Sequence, residues 1–397
     1  MRRILICTIL LLSLCGCGFL RETTYVVVEP HQETYVEQPD SDVLTANSYL
    51  SLKNAILSLV QDGIEEGVIR AESYSGNLSV DLNQAVNEVS QSSPLGAYAV
   101  SNMTYDYSRI VSYYEIHINI NFRRSLEEIQ SVTYVTDMDA LRRKLVEAME
   151  SYDTRLVLRV GEYAPFDLEA WVEEICLEHP EFALERPETS MEQYPASGAQ
   201  RILELQFSYA HSGEELAEYR EIMEQQIQAL TALYGNTNGD MTNARRLYAR
   251  LGRDALLEQD SGRALSGSAY GVLEEGSGTS LGFAQGYRLL LEDCGIPCEL
   301  IAGQKDGVPR YLCRLRLDGV WYYADPSLGA GGQQVEYFLM GDRELAENGY
   351  AMAGEQPPVE LPTYLRPPEE VMPAGPVEPV DGEPSDEMEQ ALENGGI

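Results

Sequence analysis

The sequence predicts an α+β protein: a duplicated α/β unit followed by a C-terminal domain that sets one helix against an antiparallel sheet. Three observations carry this. Apolar residues at helical spacing alternate along the chain with runs of period two. Marks found in residues 46–130 return in residues 131–211. The last third holds one helix-like stretch followed by three strand-like runs, the last two joined by the tight-turn pair Asp318-Gly319.

The first unit opens with SLKNAILSLVQDGIE, which places Leu52, Ile56, Leu59 and Val60 on one helical face. VIRAESY alternates as a strand. VDLNQAVNEVSQ reads as a second helix with Asp81 near its positive end. YYEIHINI (113–120) closes the unit with strict alternation, as RILELQFSY (201–209) closes the next. Leu52 and Ile56 recur as Leu141 and Leu145, and Tyr74 as Tyr163. After a three-residue contraction, Asp81-Leu82 recurs as Asp167-Leu168 and Pro94 as Pro180. The expected order in each copy is helix, strand, helix, strand. Neither copy is long enough to bury a large core alone.

The C-terminal domain is expected over 212–350. EELAEYREIMEQQIQALTALYG (214–235) is a long helix, and a second starts at Thr242. SGSAYGVLEEG (266–276) gives a short helix and a loop. LGFAQGYRLLLEDCGIP (281–297) is the central helix and its exit turn. CELIAG (298–303), YLCRLRL (311–317) and VWYYADP (320–326) are strands. Residues 351–397 contain nine prolines among many acidic residues, with Arg366 the one basic residue. Such a segment cannot build a core and is expected to be an extended or disordered tail.

Charge narrows the function classes. There are 28 Lys and Arg against 64 Asp and Glu, a formal net charge of -36. A surface of that sign repels phosphate backbones, so no nucleic-acid partner is expected. NTNGDMTNARRLYARLG (236–252) alternates Asn236, Asn238 and Asp240 but lacks the spacing and closing Glu of a calcium loop. Cys294, Cys298 and Cys313 do not follow a zinc spacing and have no His nearby. No metal and no cofactor is expected. Outside a cell, those three cysteines read equally as one disulfide or as buried thiols.

The N-terminus adds a location. Arg2 and Arg3 precede an apolar run from Ile4 to Leu14, then Leu14-Cys15-Gly16-Cys17. The run is short for a permanent span. The whole resembles a bacterial lipoprotein signal peptide with its lipobox, an ordinary secretory signal being the alternative. The resemblance implies cleavage before Cys17 and a lipid on Cys17 that holds the chain on the outer face of the cytoplasmic membrane. Residues 18–45 then read as a tether, with TYVVV at its start as one strand.

Three stretches, SAYGVLEEGSGTSLGFAQGY, DCGIPCELIAG and LRLDGVWYYADPSLG, together resemble the transglutaminase-like (papain-like) superfamily of bacterial extracytoplasmic proteins over roughly residues 212–345. That family places a nucleophilic Cys at a helix start, a His on a following strand and an Asp at the end of the next. A helix N-terminus and an adjacent imidazole favour the thiolate, and the carboxylate orients the imidazole. Carried over, the nucleophile position is Ala284, the His position Arg310 and the Asp position Asp325; Gln285 stands where an oxyanion donor is found. Alanine has no nucleophilic atom, and arginine stays protonated. Ser280 has no imidazole beside it, Cys294 lies near the unfavourable helix end, and Cys313 reads as a small buried side chain. The resemblance therefore implies a degenerate triad and a non-catalytic, lipid-anchored surface protein that binds an envelope protein, peptide or glycan. An envelope peptidase or amidase with non-standard catalytic residues, and a purely structural envelope scaffold, are the alternatives.

Replacing Cys17 by Ala should move the protein from the membrane fraction to the soluble fraction. Detergent partitioning of both forms checks this, and equal partitioning would remove the lipid anchor.

Overall fold

The computed structural model of the chain describes residues 43–236, 239–259, 262–329, 337–353 and 359. The lipobox with Cys17, the tether up to residue 42 and most of the expected tail lie outside the described residues. The chain divides into two compact units between Ile129 and Gln130. No helix among the described residues is long and apolar enough to cross a membrane.

The first unit contains β1 (Leu44–Ala46), α1 (Tyr49–Gln61), β2 (Glu66–Glu72), α2 (Leu78–Asn87), α3 (Pro94–Ala99), β3 (Val100–Ile110) and β4 (Tyr113–Phe122), with α4 (Leu126–Gln130) at the division. The sheet order is β1-β2-β4-β3. β1 runs parallel to β2, and the other pairs are antiparallel. α1 starts where Ser48 and Ser51 satisfy each other's backbone N–H groups in a capping box. Its expected face, Leu52, Ile56, Leu59 and Val60, is buried. Ile69 and Ala71 of β2 and Ile116, Ile118 and Ile120 of β4 supply the sheet side of the core.

The second unit opens by repeating this plan with β5 (Thr133–Val135), α5 (Met138–Glu150), β6 (Arg155–Val160), α6 (Leu168–Glu178), β7 (Glu188–Tyr194) and β8 (Arg201–Ser208). Its sheet order is β5-β6-β8-β7, with the same parallel first pair. The duplication therefore holds at the level of topology. The pair Leu44↔Ile69 becomes Thr133↔Leu158, both partners 89 positions on.

Two details differ from the sequence reading. Each copy has four strands, not two. β3 is exposed along most of its length, as an edge strand is, and so gives no alternation to read. The helix after the second strand starts at Leu78 with Asn77 as N-cap in one copy, and at Leu168 with Asp167 as N-cap in the other. Asp167 thus matches Asn77, not Asp81, and the copies differ there by one inserted residue rather than a three-residue contraction. Asn and Asp are interchangeable caps, so the cap had changed identity and left the nearby Asp-Leu pair as a false guide.

The rest of the second unit holds α7 (Gly213–Tyr234), α8 (Asp240–Asp254), β9 (Leu256–Leu257), α9 (Ala269–Leu273), β10 (Ser277–Gly278), α10 (Ser280–Asp293), β11 (Cys298–Lys305), β12 (Val308–Leu317), β13 (Val320–Ala324), α11 (Asp342–Glu347) and β14 (Tyr350–Met352). Four strands make an antiparallel sheet in the order β13-β12-β11-β14. α10 packs on one face of it: Phe283, Ala284, Tyr287 and Leu290 share a core with Cys313, Leu315 and Leu317. Ile301, Leu312, Tyr323, Met340, Leu345 and Tyr350 cover the other face. This is the helix-plus-antiparallel-sheet arrangement expected of the C-terminal domain.

The body extends past the point where a tail was expected. Ala351 and Met352 pair with Gln304 and Gly303 of β11, and Val359 is buried against the same face. The outer edge of β11 would otherwise leave its peptide groups unpaired there. The last residues of the expected tether, 44 and 45, likewise belong to β1.

One contact fixes the loop after β13. A Cβ on Gly252 of α8 would lie 2.1 Å from the Gly329 carbonyl oxygen. Backbone meets backbone, with no flexible side chain able to yield. Gly252→Ala should therefore cost about 1–3 kcal/mol of stability, read as a lowered midpoint in urea.

Candidate functional site

The helix start that carries the nucleophile position is closed. Gly282 brings the first turn of α10 against the chain before α9, where an added Cβ would meet the carbonyl oxygens of Ser268 and Ser266 at 2.7 and 2.8 Å. Phe283 to Tyr287 are all buried, and Ala284 has no exposed surface. Tyr287 Oη donates to the Ala244 carbonyl at 2.9 Å, which ties α10 to α8.

The second repeat supplies the cover. α6 ends with carbonyls that have no helical partner. Gln285 Nε2 donates to the Cys176 carbonyl at 3.2 Å, and Arg288 Nη1 to the Leu177 carbonyl at 3.0 Å. Gln285, which the family pattern marks as an oxyanion donor, is thus occupied as a cap for α6. Glu173 and Arg186 form an ion pair at 3.2 Å. Both lie close enough to Tyr311 of β12 to act on its hydroxyl, whose pKa burial raises. The junction is pinned by Glu185. Its carboxylate is buried and accepts from the Ala210 N–H and, at 3.0 Å, meets His211 Nδ1.

Below Ala284 lies Cys313. Its thiol donates to the Ala284 carbonyl at 3.2 Å. Burial, then contact with Cys298 and the charge of Asp325, push the Cys313 thiol well above its ordinary range. Cys298 and Cys313 are free, as are Cys176 and Cys294. Tyr311, Cys313, Leu315 and Leu317 pack with the α10 core, whereas Leu312 packs on the opposite face. Arg310 shares the parity of Leu312.

Asp325 sits just beyond β13 and is fully buried. Its Oδ1 accepts from Ser327 N at 3.0 Å and Ser327 Oγ at 2.5 Å. Its Oδ2 accepts from Tyr350 Oη at 2.7 Å and lies 3.9 Å from Arg310 Nη1. Arg310 Nη1 also donates to Ser327 Oγ at 2.7 Å. Burial, then the Asp325 charge, raise the Tyr350 hydroxyl far above its ordinary range, so it keeps the proton that it donates to Asp325. Tyr248 Oη of α8 donates to the Asp325 carbonyl at 3.0 Å. Of the three family positions, Arg310 and Asp325 are thus joined directly, and Ala284 meets the same sheet through Cys313.

Ser327, Tyr350 and Tyr248 were not singled out from the sequence. A carboxylate buried beside a strand end needs donors, but they come from a turn, a terminal strand and a distant helix. Among the described residues, no cluster of three or more His, Cys, Asp or Glu side chains is arranged to hold a metal ion.

The sequence matches no family model and no curated protein. The fold bears a weak likeness to solved transglutaminase and protease structures. One is described as a TGase, with 11% identity and a TM-score of 0.26, over 49% of this chain and 59% of that one. A candidate cysteine protease from Cytophaga hutchinsonii has 11% identity and a TM-score of 0.25, over 43% and 71%. A candidate protease from Parabacteroides distasonis has 12% identity and a TM-score of 0.22, over 65% and 39%. This chain therefore spans less than two thirds of the first and third. Likenesses this distant leave the chemistry to be argued from the residues.

Burial sets the order of thiol reactivity. Cys294 is half-buried, whereas Cys176, Cys298 and Cys313 are buried, and burial pushes the Cys176 thiol up to about 11. In native protein, a maleimide should modify Cys294 first and reach the other three only on unfolding, as peptide mapping by mass would show.

Proposed function

We propose that this chain is a non-catalytic, lipid-anchored extracytoplasmic protein whose transglutaminase-like domain supports structure rather than turnover. One observation carries the reading. The position that needs a nucleophile holds Ala284, buried in the helix turn that α6 covers. The general-base position holds Arg310, which faces Ser327 and Asp325 as a permanent cation. An acyl transfer needs a nucleophile, a base and room for the acyl group. Cys313 supplies none of these, because its thiol is buried and held protonated.

The Arg310–Asp325 pair takes a structural role in this reading. It keeps a carboxylate in the fold by matching its charge and hydrogen bonds. The closed helix start also moves any partner elsewhere. An envelope protein, peptide or glycan would meet the outer surfaces of the two α/β copies, and the lipid on Cys17 would keep those surfaces at the membrane. The closure equally favours a scaffold role in the envelope, in which the same surfaces make lasting contacts.

The wild-type protein should show no thiol-dependent amidase or transamidase turnover on peptide and glutamine-donor substrates, and Ala284→Cys should add none. Asp325→Ala should instead lower stability by about 3 kcal/mol, the scale for removing one member of a buried pair. Turnover by the wild type that disappears in Asp325→Ala at a temperature where both are folded would overturn the reading.

A further inference from the structure

The β3–β4 hairpin of the first unit ends in an unusual turn. Its two-residue loop is Val111-Ser112, between Ile110 and Tyr113, which pair. Loops of this length need a positive φ at the first central residue, a place for Gly, Asn or Asp. Here Val111 stands at φ 37. A β-branched residue in that region is strained. The fold gives nothing back, because Val111 is 95% exposed, the most exposed large apolar side chain among the described residues. Ile110 beside it and Tyr107 are exposed as well.

The second repeat serves as an internal control. Its matching hairpin, β7–β8, turns through Pro195-Ala-Ser-Gly-Ala-Gln200, with no large apolar side chain. An apolar tip is therefore not required by this topology.

We propose that the Ile110-Val111 tip is a lipid-contact site that enters the interfacial layer of the membrane bilayer. The residues behind the tip are ordered as that layer demands. Tyr113, Tyr114 and Tyr107 follow the aliphatic pair, and Arg70 and Arg109 lie over the rings of Tyr113 and Tyr114 at 5.4 and 5.8 Å. Tyrosines collect at the headgroup level, and arginine stems reach from apolar surroundings to water. Glu72, Asp106 and Glu115 leave the patch near neutral, so the contact should be apolar and vary little with salt.

Shape favours lipid over protein. A two-residue convex tip offers far less than the roughly 800 Å² per partner of a stable protein interface. A fluid bilayer closes around it. The proposal rests on the membrane-anchored reading for proximity alone.

The test supplies that proximity independently. The chain from residue 18 onward carries an N-terminal hexahistidine and is held on phosphatidylcholine vesicles through a nickel-chelating lipid. Ser112→Cys bears an environment-sensitive NBD label, and Cys294→Ser removes the half-buried thiol. On vesicles the NBD emission should shift to the blue and be quenched by lipids with nitroxide on the acyl chain. Both effects should vanish in Val111→Asp, whose thermal midpoint should not fall, because Asp accepts a positive φ better than Val. No shift and no quenching in a chain that pellets with the vesicles would overturn the proposal. A photo-crosslink from position 112 to an envelope protein, without lipid quenching, would overturn it in favour of a protein contact. Loss of the anchor reading is seen separately, in the fractionation of Cys17→Ala, because nickel replaces the lipid here.

Discussion

Two carbonyls that α6 cannot satisfy within its own helix shape the C-terminal half of this protein. The Cys176 and Leu177 oxygens are met by Gln285 and Arg288, one turn apart on α10. That contact places the end of the second repeat over the buried start of the central helix. Opening it would expose the apolar side chains around Phe283 and leave both carbonyls and the Gln285 amide to find new partners. The second repeat and the helix-plus-sheet domain accordingly share one compact unit.

The acid left at the end of β13 depends on the same principle, that buried polar groups must be matched. Asp325 is held by a backbone N–H, a serine hydroxyl, a tyrosine hydroxyl and a nearby guanidinium. Together these join the loop after β13, the edge strand β14 and β12. An imidazole could share a proton with such a carboxylate, whereas the guanidinium only balances its charge.

Much of this was legible in the sequence because local patterns carried it. The helix face Leu52, Ile56, Leu59 and Val60, the alternation in β4 and β8, and the Asp318-Gly319 hairpin all follow from residue spacing and turn chemistry. β3 was not legible, because an edge strand exposed over most of its length does not alternate. The repeat offset is hidden in the sequence because Asn77 and Asp167 cap equally well while differing in identity. At the site, Arg310 and Asp325 stood out from the motif. Ser327, Tyr350 and Tyr248 did not, since contacts across the fold leave no mark in local spacing. Nor did spacing show that Gln285 serves a helix more than a hundred residues earlier.

The cap on α6 also bears on how the two copies can drift. The end of α6 must complete its own repeat and also fit Gln285 and Arg288. A change at Gln285 or Arg288 strands a carbonyl of another element, and a shift of α6 strands the Gln285 amide in return. Selection would therefore treat these segments as one inherited block. A copy first kept as a duplicate would be held in place by its neighbour's need for a matched surface.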